Sequence, residues 1–174
     1  GIVVSRTAYR FTELMHIEHP EAIKMLSNGH SYDVSTNIFE RLPHVFPDVK
    51  PSDNNESIRI LGRYKNKRAI KYIKRIYIRS VANLDFYKIF LSKADGAAGQ
   101  IGNPIPARIL GNSEIGTPGM GNTESFISIG KCKNLYEANA LKKYISTKFL
   151  RALLGALKTT QDITPEKWKF VPQQ

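Results

Sequence analysis

Cysteine is nearly absent from this chain of 174 residues: there is one, Cys132. A single thiol excludes an intrachain disulfide and leaves no thiolate set for a structural zinc site. Long apolar runs are missing too. No stretch approaches the roughly 18 uninterrupted apolar residues of a membrane-spanning helix, and no signal peptide is evident. These absences together predict a reduced cytoplasm and no membrane partner. The chain opens on Gly1 rather than methionine, which suggests a fragment or a processed product. The glycine-rich stretch contains no G-x-x-x-x-G-K-[ST] phosphate loop, and Gly119-Met120-Gly121 is too short to replace one. The four histidines, His16, His19, His30 and His44, show no helical metal spacing, so no metal ligands are expected; only His16 and His19 fall three apart. Asp33 or Glu40 followed by Asp48-Val49-Lys50 is the one arrangement resembling a magnesium-dependent nuclease, and Pro47 and Pro51 break the strand it would need. No catalytic residue is expected in this chain.

Acidic residues are missing from one region in particular. The formal charge is +11, and between Ser57 and Leu84 nine cations occur without a single Asp or Glu: Arg59, Arg63, Lys65, Lys67, Arg68, Lys71, Lys74, Arg75 and Arg79. The remaining 17 basic residues (26 less these nine) almost balance the 15 acidic ones. A solvated lysine surface normally carries interleaved acids, so a block without them points instead to a polyanion.

Along the chain, Ile2 to Val4 suggests a short strand. His19-Pro20-Glu21 opens a helix toward Ser27, with Gly29 just beyond it, and Thr36 to Leu42 suggests another helical turn. Pro51 to Asn55 has turn composition and divides an appendage, residues 1–50, from a main domain, residues 51–174. From Ser57 the period becomes two. Ile58 to Leu61 forms one strand and Ile70 to Arg79 a longer one, joined by the cationic tip Tyr64 to Arg68. Ile70, Tyr72, Ile76 and Ile78 fall on one face; Lys71, Ile73, Arg75, Tyr77 and Arg79 fall on the other. Lys74 marks a bulge or a strand end. Tyr87, Ile89 and Leu91 continue the alternation in a third consecutive strand. Ser92 to Thr123 holds more than half of the twelve glycines and reads as a loop with a short strand at Ala107 to Leu110. Phe126 to Ile129 is a further strand. Asn134 and Glu137 form a capping box for a helix running to Lys158, whose stripe is Leu135, Ala138, Leu141, Ile145, Phe149, Ala152, Leu153 and Ala156. The tail holding the tryptophan folds back on it. The predicted class is α+β: a mostly antiparallel sheet of about five strands with one long C-terminal helix packed across it.

The last third carries a family likeness. Tyr144 to Ile163, YISTKFLRALLGALKTTQDI, followed by KWKFVPQQ at the end, resembles the C-terminal segment of target-recognition domains in bacterial type II restriction–modification enzymes and adenine-N6 DNA methyltransferases. The matching positions are Thr147, Lys148, Phe149, Arg151, Lys158, Thr160, Gln161, Val171, Pro172 and Gln173. Gly121 to Gly130, GNTESFISIG, resembles the strand before that helix. Asn103-Pro104-Ile105-Pro106 is only superficially similar to the family's Asn-Pro-Pro-aromatic motif, because it lacks the second adjacent proline and the aromatic. No Gly-rich strand–turn–helix is present to hold S-adenosylmethionine. The resemblance therefore implies a recognition module for double-stranded DNA, cofactor-free itself. S-adenosylmethionine, Mg²⁺ and the methyltransferase and nuclease domains would belong to the parent polypeptide. An independent nuclease or RNA-binding protein is the alternative.

Arg63, Lys65, Lys67, Arg68, Lys71, Arg75 and Arg79 are the candidate DNA contacts, with Arg68 at the tip placed to read a base. Tyr77 shares their face, for stacking or for packing. Asn112, Asn122, Thr123 and Ser125 would supply hydrogen bonds from a loop that orders on DNA; the alternative is a plain linker. Lys148 and Arg151, off the apolar stripe, are left open between DNA and the parent enzyme.

Overall fold

The computed structural model describes residues 4–5, 9–52, 56–79, 81–94, 109–157, 163 and 165–172. Ile2, Val3, Asp53 to Asn55, the Asn103-to-Pro106 motif, Ala107, Lys158, Thr160, Gln161 and Gln173 lie outside them. After a two-residue strand, β1 (Val4–Ser5), come three short helices: α1 (Glu13–Glu18), α2 (Ala22–Met25) and α3 (Ile38–Arg41). Of these, α1 had no clear signal in the sequence. Then follow β2 (Ser57–Tyr64) and β3 (Lys67–Lys74). The turn between them is the pair Lys65-Asn66, with φ of 48° and 61°. Two residues at positive φ match the right-handed twist of a tight hairpin, and asparagine tolerates that region better than most.

Register decides which face of this hairpin is buried. Ile58 stands opposite Ile73 and Ile60 opposite Lys71, and directly opposed residues share a face. The Ile58/Ile60 pair therefore carries Ile73 and Lys71 inward: Ile73 is fully buried and Lys71 is 5% exposed, whereas Ile70 is 45% exposed. This reverses the expectation that the face bearing Lys71 looks outward. Lys71 survives there because its Nζ reaches Asp48 at 2.8 Å and lies over the Tyr64 and Phe39 rings. Gly62 in β2 is a close-approach position, since a Cβ there would come within 2.6 Å of the Phe39 ring.

The expected long strand stops at Lys74. A 3₁₀ turn over Arg75–Tyr77 replaces its second half, and the backbone there bonds the N-terminal segment instead. Tyr77 O accepts from Thr12 N at 2.9 Å, and Phe11 bridges Ile78. The chain leaves the sheet at this point, so β4 (Tyr87–Ser92) does not extend it. It joins β5 (Glu114–Gly116) and β7 (Phe126–Cys132) in a separate four-stranded antiparallel sheet, ordered β1-β7-β4-β5. Between them β6 (Met120–Asn122) pairs in parallel with β2, giving a three-stranded sheet ordered β3-β2-β6. The class is α+β, but with two small sheets in place of a single one of five strands. The glycine-rich segment thus supplies β5 and β6; Ile109 and Leu110, expected in a strand, form a bend.

One apolar cluster joins Tyr9, Phe11, Ile38, Phe39 and Phe46 to Ile58, Ile60, Ile73 and Tyr77, drawing on both sides of Pro51. A second joins Ile89, Leu91, Ile127 and Ile129 to the C-terminal helices and Trp168. Leu61, Phe90, Met120 and Phe126 pack together between the sheets. Lys88 lies fully buried, donating from Nζ to Leu84 O and Met120 O.

The capping box at Asn134 is present: Glu137 N donates to Asn134 Oδ1 at 2.9 Å, and Asn134 Nδ2 donates to Glu137 Oε1 at 3.2 Å. The single long helix is not. It divides into α4 (Leu135–Ile145) and α5 (Lys148–Leu157). Ser146 Oγ donates to Lys142 O and Thr147 Oγ1 to Tyr144 O, each at 2.8 Å, closing α4. Thr147 Oγ1 also accepts from Leu150 N at 3.3 Å, capping α5. The break advances the buried face by one residue. Leu150 and Leu154 are buried in α5, while Phe149, on the expected stripe, is 63% exposed. A final turn, α6 (Pro165–Trp168), returns the tryptophan to the core beside them, and Tyr144 Oη donates to Pro172 O at 2.9 Å.

Candidate nucleic-acid interface

The hairpin tip is the part of the basic block that faces water. From Arg63 to Arg68 every residue is exposed, beyond the last point at which the strands are clamped by Phe39 and Thr123. The turn is pinned at Lys65, whose N donates to Glu40 Oε1 at 2.7 Å. Among the described residues, no acidic side chain pairs with the charged groups of Arg63, Lys65 or Lys67. Arg63 stands opposite Arg68, so both guanidinium groups leave the same face of the ribbon. Like charges side by side are unfavourable unless an anion offsets them, and Glu114, 3.4 Å from Arg68, offsets only one of the pair.

Arg68 joins this tip to a second cationic feature. Its Nη2 donates to Asn112 O at 3.2 Å, its Nη1 lies 3.4 Å from Glu114 Oε1, and its guanidinium covers the Phe126 ring. Asn112 and Ser113 in turn line a cleft of about 410 Å³ with Lys142, Ser146 and Arg151. Asn112 thus touches both the tip and the cleft that Arg151 lines. The loop that carries Asn112 is what brings the two regions together, and no spacing in the sequence announces that contact.

Other candidates are withdrawn from the surface by partners of their own. Lys71 is buried against Asp48, as described above. Arg75 grips Asp85 with two nitrogens, at 2.8 and 2.6 Å, and reaches Glu56 at 3.3 Å. The hydrogen bonds to Asp85 raise the guanidinium pKa further and hold the Asp85 carboxyl below its ordinary value. This is a clasp between the end of β3, the residue before β2 and the loop before β4. Tyr77 is 3% exposed; burial, and then a short hydrogen bond to Glu18, push its phenol up. Asn122 and Thr123 are fully buried, and Asn122 Nδ2 donates to the carbonyls of Thr123 and Phe126. Strand β6 takes up the backbone expected to form a mobile polar loop. Arg79 is exposed over the Tyr32 ring, at the far end of β3 from the tip. Eight strand residues span about 23 Å, so Arg79 does not share the tip's surface. A second cleft, of about 540 Å³, is lined by Lys50, Glu56, Arg59, Tyr72, Arg75 and Asp85; both of its carboxylates are already held by Arg75.

No protein-family model, curated protein or solved structure matches the chain. Among the described residues no helix is long and apolar enough to cross a membrane.

Proposed function

We propose that the chain is a sequence-recognition module for double-stranded DNA, serving a larger restriction–modification enzyme whose methyltransferase and nuclease parts lie elsewhere in the polypeptide. The observation that carries the reading is the exposed β2–β3 ribbon, whose Arg63, Lys65 and Lys67 lack acidic partners among the described residues. A two-stranded ribbon fits the major groove, about 12 Å wide, where arginine and lysine read guanine edges. Lys142 and Arg151 in the neighbouring cleft would follow the phosphate backbone. The likeness of Tyr144 to Ile163 to adenine-N6 methyltransferase recognition domains supports the same reading and supplies the parent enzyme class.

The experiment is duplex binding across a salt series, by the chain and by Arg63→Ala, Lys65→Ala, Lys67→Ala and Arg151→Ala. Neutralised phosphates release counterions, so affinity should fall steeply as salt rises. Each lost phosphate contact should reduce the log–log slope by about one, for all sequences alike. Loss of a base contact should instead cost on the order of 1–3 kcal/mol at the preferred site alone. Parent-like binding by all four variants at every salt concentration would remove the ribbon and the cleft as the DNA surface.

A further inference from the structure

Two histidines and one glutamate that the sequence scatters over 26 positions converge on the side of the molecule built by α1 to α3. His19 ends α1, Glu21 opens α2, and His44 follows α3. One donor atom from each lies within 4.8 Å of the others. His44 Nε2 is 2.8 Å from Glu21 Oε1, and His19 Nδ1 is 3.4 Å from the same oxygen. The geometry points to a divalent transition-metal site of the zinc class, with the His19 and His44 imidazoles and the Glu21 carboxylate as its three protein ligands.

Three features favour a metal over a plain surface ion pair. The donor set is the first: nitrogen, nitrogen and carboxylate oxygen suit zinc, cobalt and nickel, whereas calcium and magnesium prefer oxygen alone. Spacing is the second. Tetrahedral ligands at zinc distances stand about 3.3–3.5 Å apart, so small side-chain rotations would bring all three donors into place. The third is that one ligand is held before any ion arrives. His19 N donates to Met15 O at 2.9 Å and His19 O accepts from Ala22 N at 3.0 Å, fixing its backbone between two helices. Its ring stands edge-on to Tyr77, which is buried and bonded to Glu18. His44 packs beside it, with ring centroids 5.4 Å apart. The Glu21 and His44 side chains are 48% and 42% exposed, which leaves an open side for ion entry and for a water or other oxygen ligand in the fourth position. His16, three residues before His19, takes no part: it is buried against the Tyr32 and Phe11 rings.

The test uses the full chain after treatment with a chelator, titrated calorimetrically with Zn²⁺ and, separately, with Mg²⁺. Co²⁺ serves as a spectroscopic probe of coordination. One Zn²⁺ per chain is expected, with no heat from Mg²⁺ and visible Co²⁺ bands of four- or five-coordinate intensity. Glu21→Gln and His44→Ala alter exposed side chains, and circular dichroism checks their folding. Each should weaken Zn²⁺ binding at least about tenfold, since even the loss of a residue that only orients a ligand typically costs about 10–100-fold. His30→Ala, which removes an exposed histidine paired with Asp33 outside the cluster, should bind like the parent. Absence of Zn²⁺ binding would overturn the assignment. So would equal affinity in Glu21→Gln, His44→Ala and the parent, or a loss in His30→Ala as large as in the other two, since the ion would then sit adventitiously elsewhere.

Discussion

Lys88 gives the sharpest test of how the two sheets are joined. It stands on β4 in the four-stranded sheet, and its Nζ donates to Met120 O on β6, in the other sheet, at 2.7 Å and to Leu84 O at 2.8 Å. Burial drives its pKa down from 10.5 to about 7, against the opposing pull of Asp85. In the unfolded chain the amine regains its ordinary value. Between pH of about 7 and 10.5 the unfolded state then binds more protons than the folded one, and stability must rise with pH across that window. Below pH 7 both states are protonated and the burial penalty is fully present. Linkage over the interval from pH 6 to pH 9 amounts to on the order of 2 kcal/mol of added stability at the alkaline end. Lys88→Met removes the titration and serves as the reference. It leaves Leu84 O with its second donor, Gly119 N at 3.0 Å, while Met120 O loses the lysine. Effects of overall charge are common to both proteins and cancel in the difference. Urea unfolding of parent and variant at pH 6, 7, 8 and 9 reads it directly, with the parent gaining on Lys88→Met as pH rises. Parallel stability curves would refute the buried, depressed lysine.

Two further outcomes test the divided C-terminal helix. Leu154→Ala should cost about 2–5 kcal/mol as a buried large-to-small change, whereas Phe149→Ala should stay within about 0.5 kcal/mol, both read by thermal or denaturant unfolding. The reverse order would restore the uninterrupted stripe. Thr147→Ala should lose about 0.5–2 kcal/mol through the missing cap of α5, and Thr147→Ser should recover most of it; equal stability of all three proteins would show that the hydroxyl does not hold the junction.

Local chemistry was legible where the cause was local. The capping box at Asn134, a turn within Tyr64 to Arg68 and the strand from Phe126 each follow from a few neighbouring residues. The sequence also marked Ser57 to Leu84 as a cationic block, because charge composition survives folding unchanged. It did not say which cations would reach water. That depended on register: Ile58 opposite Ile73 carried Lys71 inward, and Asp85, which follows the block, claimed Arg75. The division into two sheets was equally hidden, since it rests on Tyr77 and Ile78 bonding Thr12 and Phe11 across more than 60 residues of chain. Alternation signals a strand and says nothing of its partner. The helix stripe failed for a related reason, because the Ser146 and Thr147 hydroxyls competed for the backbone and shifted the phase by one residue. His19, Glu21 and His44 show no metal spacing along the chain. Only the packing of the three short helices into one apolar cluster brings them within reach of one ion, because donor distances in space are set by tertiary contacts and not by separation in sequence.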